Sequence, residues 1–107
     1  ANAAEYNKGW TSPSATKNVT GVAIDITNGQ IEISYDTPVS DAAANTLILE
    51  PYTMVVTTPT VLPDSTGATY TPPEDQIQWA CLAAGSTSPT GATAGTLPSK
   101  LAPSNCR

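Results

Sequence analysis

The chain has 107 residues, of which 39% are hydrophobic and 12% are charged, and its net charge is −5. This length predicts one domain with a modest core. The four basic residues, Lys8, Lys17, Lys100 and Arg107, are scattered, so no positive patch is available to bind phosphates and direct nucleic-acid binding is not expected. No apolar run approaches the about 20 residues that span a bilayer, and none has the pattern of a signal peptide.

Catalytic chemistry is poorly supported by the composition. The chain contains no histidine, which excludes Ser-His and Cys-His nucleophile pairs and histidine-based metal sites. A glycosidase would need two carboxylates, for which Glu74 with Asp75 or Asp25 with Glu32 are the candidates. Adjacent acids in a proline-bounded loop and alternating acids on a hairpin usually face water. Neither a glycine-rich phosphate loop nor the clustered carboxylates of a calcium site are present. We therefore expect no enzyme, no metal and no cofactor.

The N-terminal 18 residues support only one short helix. Asn2–Lys8 is compatible with one or two helical turns, with Asn2 as the N-cap and Gly9 as the end. Trp10 is predicted either to pack on the sheet or to lie at a contact between subunits.

A β-hairpin is predicted from about Thr20 to Asp36. Apolar residues alternate with polar or small ones on both sides of Asn28-Gly29, which is the period of a half-buried strand. Asn-Gly favours a two-residue type I′ turn, because both central residues then take a positive φ. The alternating residues are Val22, Ile24 and Ile26 before the turn and Ile31, Ile33 and Tyr35 after it.

Two further strands and a long connection follow the hairpin. Residues 36–45 read as a connection, and Thr46–Glu50 is a third strand that Pro51 is predicted to end or to confine to an edge. Residues 52–57 are again compatible with a strand, whereas the prolines of residues 58–75 predict an extended surface loop. Gln76–Cys81 supplies the fourth strand.

The last strand places Ile77, Trp79 and Cys81 on one face. An aromatic side chain here could form a ligand platform, but we predict that Ile77 and Trp79 pack in the core beneath a disulfide. Cys81 and Cys106 are the only two cysteines, and they bound a segment rich in Gly, Ser, Thr, Pro and Ala. This placement favours an oxidised pair in an extracellular protein, with two reduced thiols as the alternative.

Together these elements predict a mainly β fold with about four antiparallel strands and a C-terminal disulfide-closed loop. The single domain divides into an N-terminal segment (1–18), strands (19–57), a Pro-rich loop (58–75), and the last strand with its loop (76–107). Such a sheet needs a cover for its apolar face, and the only helical candidate is too short. The residues predicted on that face are Val22, Ile24, Ile33 and Leu47.

The order of these segments resembles that of the globular head of type IVa major pilins, such as those of Pseudomonas. The resemblance covers about residues 19–51 and 76–107, and it implies a disulfide between Cys81 and Cys106 that bounds the D-region of the family. The segments that carry it are Val22–Ile24, Asn28–Tyr35, Thr46–Pro51, Ile77–Cys81 and Leu97–Arg107.

The long N-terminal helix of the family is missing from this sequence, so the resemblance implies an α+β fold completed by a helix from elsewhere. Either the helix was removed, or it is a separate polypeptide, as in the split pilins of Geobacter-like pili. The implied partners are this helix and other pilin subunits, and the membrane is reached only through the helix. A host-surface receptor is a further candidate partner, and the residues predicted to contact a receptor or a subunit are Lys100, Leu101 and Arg107.

The implied function is that of a structural subunit of a bacterial pilus outside the cell. Such fibres serve adhesion, twitching motility, DNA uptake or phage reception. Two alternatives stay open at this point. One is a small extracellular β-sandwich that binds carbohydrate or a host surface, which would carry seven or more strands. The other is a minor pilin or a pseudopilin with the same fold.

Overall fold

A computed structural model describes residues 5–41, 44–66, 71, 73 and 75–106. Within these residues there are five β-strands and two short 3₁₀ turns. The strands are β1 (Val19–Ile24), β2 (Ile31–Tyr35), β3 (Thr46–Val55), β4 (Thr58–Val61) and β5 (Ile77–Leu82), and the 3₁₀ turns are Ser99–Leu101 and Ser104–Cys106. No helix within the described ranges is long and apolar enough to cross a membrane.

All five strands belong to one antiparallel sheet that is centred on β3. One edge of β3 pairs with β2 and then with β4, the other edge pairs with β5, and β1 pairs with the outer edge of β2. This arrangement confirms the predicted mainly β, antiparallel fold. It adds one strand, because Thr58–Val61 forms β4 where the sequence predicted a loop.

The predicted hairpin is present, but its turn differs from the prediction. β1 and β2 pair in register with Ile24 opposite Ile31, and six residues connect them. Asn28 does not have a positive φ, whereas Gly29 does (78°), so the connection is not a type I′ turn. The side chain of Asp25 accepts the N–H of Thr27 at 2.8 Å, and the carbonyl of Asp25 accepts the N–H of Gly29 at 2.8 Å. This local capping by aspartate stabilises a longer turn.

The prediction that Pro51 ends the third strand or lies at an edge was wrong. β3 continues through Pro51 to Val55, and both of its edges are paired. The carbonyl of Asn45 accepts a hydrogen bond from the N–H of Tyr35 in β2. Because the backbone groups of every second residue point to the same edge of a strand, the nitrogen of Pro51 points toward this edge as well. On that edge the pairing with β2 stops at Leu49 and the pairing with β4 begins at Tyr52. The missing N–H of proline therefore falls in a gap between two partner strands.

The buried core lies between the first half of β3 and the C-terminal segment. Leu47, Ala83, Leu97, Ala102 and Cys106 form one cluster. Leu47 is therefore covered by the chain itself, and the prediction that it belongs to an exposed apolar face was wrong.

The prediction that Ile77 and Trp79 are core residues beneath the disulfide is also contradicted. Ile77 is 43% exposed and Trp79 is 55% exposed. Both share a face with Cys81, as expected, but the C-terminal segment covers only the part of this face near Cys81 and Leu47.

Only part of the predicted N-terminal helix can be compared, because residues 1–4 lie outside the described residues. Residues 6–9 form turns, in which the N–H of Lys8 donates to the carbonyl of Glu5 at 2.9 Å. Trp10 is 38% exposed.

Candidate functional site

One face of the sheet carries partly exposed apolar side chains from β1, β2 and β5, and we call this face the open face. Directly opposed residues of antiparallel strands point to the same side, so the register places Ile24, Ile31, Leu49 and Cys81 in one row across the sheet. Pro51 and Trp79 form the next row, in which Pro51 is buried and Trp79 is 55% exposed. Val22, Ile24 and Ile33, which were predicted on this face, are half-buried.

A groove of about 270 Å³ lies in the open face. Its residues come from β1, β2, β3, β5 and the segment after β4, and they include Ile24, Ile31, Pro51, Leu62, Ile77 and Trp79. Tyr6 forms one rim and is fixed there, because its hydroxyl donates to the carbonyl of Pro63 at 2.5 Å and its N–H donates to the hydroxyl of Ser65 at 3.1 Å. The groove is therefore preformed, apolar and open.

A second, larger groove of about 670 Å³ lies beside the first and shares Leu62 with it. It runs between the β1–β2 connection and the β3–β4 hairpin, and Asp64 and Asp75 are at its border. The hydroxyl and the N–H of Thr66 donate to Asp64, and these hydrogen bonds lower the pKa of this exposed carboxyl.

The carboxylates considered for catalysis do not form a site. Asp25 caps the hairpin connection, Glu32 is exposed and lies opposite Ala23 and Ile48 on the other face, and Asp75 lies in the second groove. Glu74 is outside the described residues. Among the residues that the structure describes, no three His, Cys, Asp or Glu side chains lie close enough together to bind a metal ion.

The C-terminal loop is joined to the ends of β3 and β5 by backbone hydrogen bonds and by the disulfide between Cys81 and Cys106. The carbonyl of Thr46 accepts from the N–H groups of Thr96 (2.9 Å) and Leu97 (2.8 Å). The N–H of Gly95 donates to the carbonyl of Leu82 at 3.2 Å. The loop thus extends the hydrogen bonding of the sheet rather than lying loosely on it.

A buried carboxylate holds the middle of this loop to the face opposite the open face. Glu50 is 1% exposed. The hydroxyl of Ser88 donates to its carboxylate at 2.8 Å, and the hydroxyl of Thr90 donates at 3.0 Å. The oxygen of Ser88 in turn accepts the N–H of Ala92 at 2.9 Å. This network was not predicted from the sequence, in which its only signal was an acidic residue within an apolar strand.

The comparison with known proteins fits this geometry. The model of the pilin family, described as a bacterial filament protein, matches residues 1–107. The chain belongs to the pilin family. The structure of this pilin domain is similar to the crystal structure of a type IV pilin from Pseudomonas aeruginosa strain Pa110594, with a TM-score of 0.63 and 34% identity. The match covers 88% of this chain and 67% of that one. No curated protein sequence matches the chain.

Membership of the family decides against an enzyme, whereas a minor pilin or a pseudopilin stays an alternative. Pilins are structural proteins and not enzymes, and the pilin domain has the type IV pilin-like fold with its disulfide near the C-terminus. The β-sandwich alternative would need seven or more strands, whereas the described part of the chain has five in one sheet.

Two of the three residues predicted to contact a receptor or a subunit lie near the end of the disulfide-closed loop. Lys100 and Leu101 belong to the first 3₁₀ turn, and Leu101 is 46% exposed. Arg107 is outside the described residues. Their role in a contact stays a prediction.

Replacing Ser88 by alanine is expected to lower the free energy of unfolding of the pilin domain by about 1–3 kcal/mol, because a buried carboxylate loses a donor and the N–H of Ala92 loses its acceptor. Urea unfolding measures the change. Thr87→Ala is the control: Thr87 is exposed on the same loop, and its loss should change the free energy by no more than about 0.5 kcal/mol. Equal effects of the two substitutions would contradict the role of Ser88.

Proposed function

We propose that this pilin domain is the head of a type IV pilus subunit that assembles into filaments on the bacterial surface. The observation that carries the proposal is the open face, an apolar sheet surface with a preformed groove and the exposed side chains of Ile77 and Trp79. Contiguous apolar surface of this kind marks a contact with another protein surface. Attachment, twitching motility, DNA uptake and phage reception are the roles that such a filament would support.

The partner proposed for the open face is an apolar helix that forms the core of the fibre. A preceding segment of the same polypeptide or a separate helical chain could supply it. A helix about 10 Å wide has the dimensions to lie along the sheet over Ile24, Ile31 and Trp79. Covering a large apolar side chain such as Ile77 contributes about 1.5–3 kcal/mol when burial is complete. The middle of the disulfide-closed loop, which Glu50 holds on the face opposite Ile77, would then lie at the outer side of the fibre.

We expect a synthetic amphipathic helix to bind the open face and to shift the fluorescence of Trp79 to shorter wavelength, because the indole leaves water. The measurement uses a Trp10→Phe background, since Trp10 is also exposed. Ile77→Asp should abolish the shift by placing a charge in the apolar contact.

Gln78→Asp is the matched control for this experiment. Gln78 is the next residue of the same strand and is also exposed, but it points to the opposite face. The proposal predicts helix binding by this variant close to that of the parent chain. Absence of any shift in the parent, or equal loss in both variants, would rule out the open face as the helix site.

A further inference from the structure

The tip of the β3–β4 hairpin carries an exposed and strained valine. Val56 is 92% exposed and has a φ of 61°, the only positive φ of a non-glycine residue in the ranges described. Because Val55 pairs with Thr58, Val56 and Thr57 form a two-residue turn. Hairpins normally place glycine at a first turn position of positive φ, and a β-branched residue there is strained. The turn thus holds an apolar side chain out in water at a conformational cost.

The opposite end of β3 carries another exposed apolar side chain. Val55 is the last residue of β3, and Thr46 is the first. Leu97 is hydrogen-bonded to Thr46, and the 3₁₀ turn that follows it exposes Leu101 (46%). The ten residues of β3 span about 30 Å, so Val56 and Leu101 lie at opposite ends of the domain's central strand.

The charge distribution favours contact between copies at these two ends. The chain has a net charge of −5, so most surfaces of two copies repel each other. Residues 51–63, which include the hairpin tip, contain no charged residue, and neither do residues 76–99. The first charge after that second segment is the cation Lys100, next to Leu101. Tip and turn can therefore approach each other without bringing carboxylates together.

We propose that the hairpin tip of one copy, Val55 and Val56, packs against the 3₁₀ turn with Leu101 of the next copy. Two different surfaces at opposite ends of one molecule make a heterologous contact, which repeats along a line and produces an open fibre instead of a closed dimer. The contact rests on the proposed function, because it concerns subunits within the pilus. It assigns Leu101 to a contact with a neighbouring subunit, and it explains why the strained valine is tolerated at the tip.

Variants of the tip test this contact in sheared pili and in the purified chain. Val56→Gly relieves the strain and should raise the melting temperature of the purified chain by about 4–8 °C. The same variant should lower the dissociation temperature of the pili, because the packed side chain is lost. Val56→Thr keeps the β-branch and the strain, and it should also weaken the pili without raising the melting temperature of the chain. The contact therefore predicts that Val56→Gly raises the melting temperature of the purified chain and lowers the dissociation temperature of the pili.

Leu101→Ser should weaken the pili as Val56→Thr does, and the double variant should weaken them no further than either single change, since both remove one shared contact. Val61→Thr is the control, because Val61 is 47% exposed on the same hairpin but points to the opposite face from Val55. Its pili should dissociate like those of the parent. The proposed contact is wrong if pili of the Val56 and Leu101 variants dissociate at the same temperature as those of the parent. It is also wrong if the two effects add in the double variant. Either result leaves the proposed function untouched. Pili that lack this chain altogether overturn the proposed function first.

Discussion

Replacing both cysteines by serine is expected to lower the free energy of unfolding by about 3 kcal/mol. Cys81 and Cys106 are 25 residues apart, and the segment between them contains little regular structure, so its freedom in the unfolded chain rises sharply when the bond is absent. Cys106 is also part of the buried cluster around Leu47, where a serine hydroxyl would be poorly accommodated. Because a small domain has only about 5–15 kcal/mol of net stability, the loss should be severe.

Urea unfolding of the double serine variant against the oxidised parent measures this effect. Both cysteines are replaced together so that no free thiol remains to form adducts. Reduction of the parent chain serves as a second route to the same state and should give a comparable loss. A change below about 1 kcal/mol by both routes would show that the hydrogen bonds of the loop, and not the cross-link, hold the C-terminal segment.

Replacing Gly95 by alanine is expected to lower the free energy of unfolding by about 3 kcal/mol or more. An added Cβ would lie 2.9 Å from the carbonyl oxygen of Leu82 and closer still to that of Thr46. These neighbours are backbone atoms at the ends of β5 and β3, so they cannot rotate away as a flexible side chain can. Relief of the clash would require the loop to separate from the sheet, with loss of the hydrogen bonds from Gly95, Thr96 and Leu97.

Gly21→Ala provides the control for this prediction. Gly21 does not have a positive φ, and an added Cβ there would meet no atom within 4 Å. Thermal unfolding should show a melting temperature more than about 10 °C lower for Gly95→Ala and nearly unchanged for Gly21→Ala. If both variants melted together, the close approach of the loop to the sheet would be incorrect.

The strands could be predicted where the alternation of apolar residues and the turn-forming residues indicated the same segments. Val22 and Ile24 alternate before the turn and Ile31 and Ile33 alternate after it, and the two segments form an antiparallel hairpin as predicted, with a longer turn that sets Ile24 opposite Ile31. The prediction for Pro51 was wrong because the general rule excludes proline from a central strand. The rule does not apply at Pro51, which lies in the gap between β2 and β4 on one edge of β3. β4 was missed for a related reason, since Pro59 lies within it.

The contents of the candidate site were less predictable, because they depend on what the loop covers. Alternation placed Ile77 and Trp79 on the face of Cys81 correctly, but it could not show that the C-terminal segment stops short of them. The same segment buries Leu47, which was predicted to be exposed. The contact of Glu50 with Ser88 joins residues 38 positions apart and leaves no local pattern. The left-handed conformation of Val56 likewise has no sequence signal, since valine is not typical of such a turn.

An electron cryo-microscopy map of native sheared pili would show directly whether a helix covers the open face of this chain. We expect this chain to be a repeating component of the fibre, with a helix over Ile24 and Ile31 that removes Ile77 and Trp79 from solvent. A fibre that lacks this chain, or one in which the helix packs on the opposite face over Ile48, would contradict it.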